Sequence, residues 1–121
     1  MRPHSNLDVW KKAVDFTVRI YQITEDFPKE ERFGLTSQLR RASVSIAANI
    51  AEGAGRKSTK EFLKFLSIAQ GSASEVETEL VISNRLKYID SRIHDDLCRE
   101  LDDIGRMITG LCHHLTRKLD N

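Results

Sequence analysis

The residues best placed to do chemistry form a row of polar side chains in residues 38–56, which read QLRRASVSIAANIAEGAGR. Amide, guanidinium, hydroxyl and carboxylate groups recur there at intervals of three or four residues. At about 100° per residue of an α-helix, they fall within a sector of roughly 80°. This polar row consists of Gln38, Arg41, Ser45, Asn49, Glu52 and Arg56. An apolar stripe borders it, so the row is either a structural hydrogen-bond network or a contact surface.

The structural interpretation needs a cation for each carboxylate that borders the core. Glu75 and Glu79 lie one helical turn apart later in the chain, and they could accept Arg41 or Arg40 from a neighbouring helix or a second copy. A charge network of this kind would hold helices or copies in register. The predicted structural or interface residues are Gln38, Arg41, Ser45, Asn49, Glu52 and Glu75.

The alternative interpretation is a nucleic-acid contact. The net charge is only +1, but residues 29–64 hold eight Lys or Arg against four Asp or Glu, whereas residues 65–121 hold seven against ten. Cations in the basic part would contact RNA phosphates. The candidate residues are Arg40, Arg56, Lys57, Lys60 and Lys64. The aromatic side chains beside them, Phe62 and Phe65, belong to an apolar core stripe, so the pattern does not indicate a base-stacking platform.

Enzymatic chemistry is not indicated by any motif. Glycine-rich phosphate loops, HExxH and CxxC are absent from the sequence. The Glu-x-x-His pairs of metal-binding helix bundles are absent as well. His94 and Cys98 supply only two ligands, which do not make a metal site. We therefore predict a protein that is not an enzyme, with no catalytic residues, no metal and no cofactor.

Four amphipathic helices are predicted to position the polar row. The two prolines, at positions 3 and 28, lie outside the periodic segments, and no strand-like alternation is present. Apolar spacing predicts helices over residues 8–25 and 35–54, a third after a Ser58 cap and a fourth after Asp90 or Ser91. Short turns make neighbours antiparallel. We expect an all-α, antiparallel up-down-up-down four-helix bundle, with residues 1–121 as one domain.

The second helix is apolar on both sides of its polar row. The second apolar side lies away from the stripe that contains Leu39 and Ile46, and it consists of Val44, Ala47, Ala48 and Ala51. A surface helix normally has one apolar face, so a second packing partner is expected, most simply another copy. A glycine inside the third helix, at position 71, likewise predicts close approach of a neighbouring helix, since glycine costs about 1 kcal/mol relative to alanine there.

A cytoplasmic location without a membrane is the expectation from hydropathy. No apolar run approaches the roughly 18 residues of a membrane span. The N-terminal residues MRPHSNLDVW have no apolar signal core.

Three segments of the chain resemble a known family. They are LDVWKKA, FPKEERFGLTSQLRRASVSIAANIAEGAGR and EFLKFLSIAQGSASEVETEL, which lie within residues 7 to 88. They resemble the small bacterial four-helix proteins encoded in intervening sequences of 23S ribosomal RNA genes, also called S23 ribosomal proteins. The resemblance implies a homopentameric ring of antiparallel bundles. It also implies a fold similar to the accessory protein of diversity-generating retroelements, a basic protein that binds nucleic acid and a reverse transcriptase.

This chain differs from that basic protein because it is nearly neutral. We predict a non-enzymatic homo-oligomer, a pentamer by resemblance, which associates with RNA or with a nucleic-acid-binding protein. The alternative is an oligomeric scaffold that binds protein partners without contacting nucleic acid.

Overall fold

Helices form where apolar side chains recur at three- and four-residue spacing. The structure, a computed structural model, describes the backbone of residues 2–120 and the side chains of residues 2–119; Met1 and Asn121 of the predicted domain lie outside it. The α-helices are α1 (Asp8–Thr24), α2 (Leu35–Ala54), α3 (Thr59–Arg85) and α4 (Ser91–Asp120). Short 3-10 helices span Pro3–Asn6 and Lys29–Glu31. Because residues 2–120 contain no strand, the predicted all-α fold with four helices is confirmed.

Side-chain caps begin the two longest helices. The Ser58 hydroxyl accepts a hydrogen bond from the Glu61 amide at 3.1 Å, which is the predicted start of α3. The Asp90 carboxylate accepts from the Ile93 amide at 2.8 Å, so Asp90 rather than Ser91 caps α4. Such a cap satisfies an amide that has no partner in the first helical turn, and it stabilises the helix by about 1 kcal/mol.

The four helices share one apolar core. Helix α2 packs against α1 and α3, and α4 packs against α3 and α1. Each large side chain that is fully buried contributes about 1.5–3 kcal/mol. The largest are Phe16, Ile20, Leu39, Ile46, Ile50, Leu66, Leu80, Leu97, Ile104 and Ile108. All of them lie at the three- and four-residue apolar spacing that predicts the four helices.

Buried or partly buried polar groups link the helices at defined points. The Thr17 hydroxyl donates to the Ser43 carbonyl oxygen at 3.1 Å, which joins α1 to α2. The Gln70 amide donates to the Gly105 carbonyl oxygen at 3.2 Å, which joins α3 to α4. These directional hydrogen bonds fix how neighbouring helices are aligned along their lengths, which apolar packing alone specifies less well.

Two helical glycines have opposite surroundings. A Cβ atom at Gly53 would lie 2.9 Å from both Phe62 Cδ1 and Phe65 Cβ, so α3 begins too close to α2 for a side chain there. A Cβ at Gly71 would meet no atom within 4 Å among the described residues. The close approach predicted at Gly71 is therefore not made within this chain.

The described residues include no helix that is long and apolar enough to cross a membrane.

Candidate functional site

The centre of the polar row is a hydrogen-bond network between α2 and α3. The hydroxyl oxygens of Ser45 and Ser72 lie 2.8 Å apart. The Asn49 amide donates to the Ser45 carbonyl oxygen at 2.8 Å and to its hydroxyl at 3.0 Å. Ser45 and Asn49 therefore have the structural contacts expected of an internal network.

A cleft of about 360 Å³ opens beside this network. It is lined by Gln38, Arg41, Ala42, Ser45, Ser72 and Glu75. The fold thus gathers four of the predicted structural residues from two helices. Within residues 2–119, neither Arg41 nor Glu75 has an opposite charge within 4 Å, so the ion pair between them is not formed in the single chain.

Glu79 lies one turn beyond Glu75 and is only 4% exposed. Its Oε1 atom has no hydrogen-bond partner among the described residues. Burial, followed by the negative charge of Glu75, raises the pKa of Glu79 from 4.5 to about 7. An unpaired buried carboxylate is costly, and it is an acceptor for any donor or cation that reaches it.

Arg40 is bound within the chain. Its guanidinium donates to the Thr24 hydroxyl at 2.9 Å and to the Tyr21 carbonyl oxygen at 3.2 Å. It also contacts the Glu25 carboxylate at 3.2 Å and lies 4.6 Å from the centre of the Tyr21 ring. Arg40 therefore ties α2 to the end of α1, and its predicted contact with nucleic acid stays a prediction.

Arg56 follows the end of α2 and also has partners in the chain. It lies 3.5 Å from the Glu52 carboxylate and 3.9 Å from that of Glu61. Its guanidinium is 4.9 Å from the centre of the Phe65 ring. Glu52 of the polar row thus pairs with Arg56. Such a surface pair contributes at most about 1 kcal/mol.

The remaining candidate cations have no such partners. Lys57, Lys60 and Lys64 are exposed. No carboxylate of residues 2–119 lies within 4 Å of their ammonium groups. Lys57 precedes α3 and the other two lie in its first turns, where the helix dipole adds partial positive charge. Residues 57, 60 and 64 form a lysine cluster of three exposed cations in the basic part of the chain, none of them within 4 Å of a described carboxylate.

Two features of this chain went unrecognised in the sequence. The carboxylate of Glu31 accepts from the Tyr88 phenol at 2.9 Å and from the Leu35 amide at 3.0 Å. No spacing rule connects Glu31 to a tyrosine 57 residues away. Phe33 is 86% exposed, with the Arg32 guanidinium 5.0 Å from its ring centre.

The burial of Glu79 could have been predicted from the sequence, since that residue borders the apolar stripe of Val76 and Leu80.

The thiols and histidines form no metal centre in the described chain. The Cys98 sulfur lies 3.5 Å from His94 Nε2, but no cluster of three or more potential ligands occurs in residues 2–119. Burial, followed by the charges of Glu77, Asp102 and Asp95, raises the pKa of Cys98. Burial also raises the pKa of the other thiol, at position 112. A thiol of raised pKa stays protonated and is a poor nucleophile.

The fold and the polar row define an all-α protein of four helices with a partly open polar cleft between α2 and α3. Residues 5–110 match the family described as 23S rRNA-intervening sequence protein, and the chain belongs to that family. The predicted resemblance is confirmed. The match extends into α4, beyond the segments that carry the resemblance.

A solved structure supports the same fold. The chain is similar to a protein of unknown function from the S23 ribosomal protein family of Bacteroides thetaiotaomicron, whose crystal structure superposes with a TM-score of 0.80. The two sequences are 26% identical, and the match covers 87% of this chain and 95% of that chain. Comparison with curated proteins gives no match.

Proposed function

We propose that this chain is a non-enzymatic, homo-oligomeric protein that binds RNA through the lysine cluster. The observation that carries this function is the lack of compensating carboxylates around Lys57, Lys60 and Lys64, in contrast to Arg40 and Arg56. Phosphate binding depends on cations whose charge is not already neutralised. A role beside RNA also agrees with membership of the 23S rRNA-intervening sequence family.

The helices are proposed to alternate in direction as an up-down-up-down bundle in one domain. Contacts near the helix ends support this. Arg40, early in α2, bonds with Thr24 at the end of α1, and Gly53, near the end of α2, lies against Phe62 at the start of α3. Along α1, Lys12 and then Arg19 pair with Asp103 and then Glu100 of α4, so α4 runs opposite to α1.

Self-association is supported by apolar side chains that the single chain leaves in water. Val44, on α2, and Ile68 and Ile82, on α3, are exposed. Exposed apolar side chains on adjacent helices are typical of surfaces that pack against another subunit. The family resemblance implies a ring of five copies, and the hydropathy of the sequence predicts a cytoplasmic location; both statements belong to this proposal. The raised pKa values of the two thiols are evidence against Cys98 or Cys112 as a catalytic nucleophile.

The RNA test is a salt titration with a fluorescent single-stranded RNA. The logarithm of the binding constant should fall linearly with the logarithm of salt concentration, by about 0.7 for each phosphate contact. The double variant Lys57→Gln/Lys60→Gln should therefore reduce the slope by about 1.4. The matched control Arg85→Gln/Arg92→Gln removes two exposed cations elsewhere and should leave the slope unchanged. Absence of binding at low salt would contradict the RNA function.

A scaffold for protein partners is the second candidate. It is favoured by Phe33, whose exposed ring is of the kind that anchors protein interfaces. An oligomer that binds no RNA, and that loses a captured protein partner on Phe33→Ser substitution, would support this candidate over the first.

A further inference from the structure

A groove lies between the N-terminal 3-10 helix and the end of α2, and we call it the N-terminal groove. Its volume is about 700 Å³, which is within the size range of sites that bind small molecules. On the α2 side, Ala48 and Ala51 present only methyl groups to it. The other lining residues are Arg2, Pro3, His4, Glu52, Gly55 and Arg56.

The N-terminal groove has an excess of positive charge. Its lining residues include two guanidinium groups and one carboxylate, that of Glu52. The Arg56 guanidinium lies 3.5 Å from the Glu52 carboxylate, so these two charges offset each other. Arg2 is exposed, and no carboxylate of residues 2–119 lies within 4 Å of its guanidinium. Arg2 is therefore a cation that can meet an anion in the groove.

Local contacts hold Arg2 and His4 at the groove. The Arg2 carbonyl oxygen accepts hydrogen bonds from the Ser5 amide at 3.1 Å and from the Ser5 hydroxyl at 2.7 Å. The His4 ring packs edge-on against the Trp10 ring, with 4.8 Å between the ring centres. An imidazole carries an N–H group that can donate to a phosphate oxygen.

The N-terminal groove and the lysine cluster are adjacent. Gly55 and Arg56 line the groove, and Lys57 is the next residue in the chain. Lys57 and Lys60 are exposed at this same end of α2. Cations without a described carboxylate partner therefore lie on both sides of Arg56.

We infer that single-stranded RNA held by the lysine cluster continues into the N-terminal groove, where Arg2 and His4 contact its phosphates. The inference rests on the proposed RNA binding and gives the strand a defined path.

The chemistry of a nucleic-acid strand fits this arrangement of cations. A strand carries a phosphate at every nucleotide, so it can meet Lys57 and Arg2 at the same time, whereas a single small anion meets one of them. Contacts to phosphate fix the position of a strand and do not read its bases. Binding in the groove should therefore tolerate many sequences.

The first experiment uses Trp10, the only tryptophan of the chain. Because His4 lines the groove and packs against Trp10, RNA in the groove should change the tryptophan emission of the wild-type protein. The change should follow the same binding curve as the signal of a fluorescent single-stranded RNA. Titration of a free tryptophan amide with the same RNA corrects for absorbance.

The second experiment counts phosphate contacts. Arg2→Gln should reduce the salt slope of RNA binding by about 0.7, and the triple variant with Lys57→Gln and Lys60→Gln should reduce it by about 2.1. Lys11→Gln is the matched control, because Lys11 is also an exposed cation near the N-terminus but lines a cleft beside Glu100 of α4. It should leave the slope unchanged.

The third experiment places a negative charge in the groove. Ala48 is exposed, so Ala48→Glu should fold normally, and it should raise the dissociation constant for RNA at least about tenfold. Ser74→Glu adds the same charge at an exposed position in the cleft between α3 and α4, and screening should keep its effect below about twofold. Thermal melting checks that both variants are folded.

The outcomes separate the N-terminal groove from RNA binding as such. If Lys57→Gln/Lys60→Gln reduces the salt slope but Arg2→Gln does not, or if RNA binds without changing the Trp10 emission, the path through the groove is wrong and the lysine cluster still binds RNA. If light scattering shows that Ala48→Glu lowers the mass of the assembly, a second copy occupies the groove and the inference fails. Absence of RNA binding at low salt contradicts both the groove and the proposed function.

Discussion

The phenol of Tyr88 and the carboxylate of Glu31 share a hydrogen bond of 2.9 Å across 57 residues of sequence. The other oxygen of that carboxylate accepts from the Leu35 amide at the start of α2, at 3.0 Å. One side chain therefore ties the beginning of α2 to the turn between α3 and α4. The Phe27 ring, 5.3 Å from the Tyr88 ring centre, packs against this contact.

The variant Glu31→Ala removes both hydrogen bonds. Because one of them satisfies an amide of the first helical turn, we expect the free energy of unfolding to fall by about 1–3 kcal/mol in a denaturant titration. Glu30→Ala, which removes a neighbouring exposed carboxylate, is the control and should cost little. Equal losses in both variants would show that the hydrogen bonds are not the cause.

The same variant should change the titration of Tyr88. The hydrogen bond to Glu31, and then burial, raises the pKa of this phenol. The neutral phenol is the donor, so its contribution to stability is present below the usual pKa near 10 and is lost as pH rises through the higher folded value. In Glu31→Ala protein the phenolate absorbance of Tyr88 should develop at lower pH. A Tyr21→Phe background removes the other tyrosine signal.

Glu79→Gln should stabilise the protein. The pKa of Glu79 is raised by burial, and then by Glu75, to about 7; Arg41, on the facing helix α2, lies too far away to form an ion pair. A raised carboxyl pKa contributes stability below the unfolded value near 4.5, and that contribution is lost as pH rises towards 7. We expect the wild type to lose stability over this interval and the variant to be about 1–2 kcal/mol more stable at alkaline pH.

Chemical denaturation across pH gives the stability, and Glu77→Gln serves as the control because it removes an exposed carboxylate two residues away. A variant that is less stable than wild type would mean that Glu79 has a donor in the folded protein.

Substitution at Gly53 should destabilise the fold even though alanine favours helices. A Cβ there would lie 2.9 Å from Phe62 Cδ1 and Phe65 Cβ, so α3 would have to move away from α2. We expect Gly53→Ala to cost about 1–3 kcal/mol. Gly110→Ala meets no described atom within 4 Å and should gain up to about 1 kcal/mol. Melting temperatures of the two variants should therefore move in opposite directions.

Substitutions at Arg40 and in the lysine cluster should have different effects on stability and on RNA binding. Arg40→Gln breaks charged hydrogen bonds to α1, so it should lower the free energy of unfolding by about 1–2 kcal/mol and leave the salt slope of RNA binding unchanged. Lys57→Gln/Lys60→Gln should reduce the salt slope of RNA binding and leave the free energy of unfolding unchanged. If Arg40→Gln protein had normal stability but a reduced salt slope of RNA binding, Arg40 would be a contact for RNA.

The sequence alone determined the four helices and most of their ends. Apolar spacing identified the core positions, and residue type and position predicted the Ser58 cap and limited the cap of α4 to Asp90 or Ser91. These features depend on interactions within one or two helical turns, so a linear sequence contains them. The polar row was visible for the same reason, since its members recur at helical spacing.

Only the tertiary structure decided which polar groups have partners. Arg40 is hydrogen-bonded to the end of α1, whereas Lys57 has no described carboxylate within 4 Å. Glu79 is buried, and its Oε1 atom has no hydrogen-bond partner among the described residues. No described atom lies within 4 Å of the position that a Cβ at Gly71 would take. Each outcome depends on distances between helices whose residues lie far apart in the sequence. Helical periodicity predicts the side of a helix on which a side chain lies. Packing of the helices decides which atoms that side chain meets.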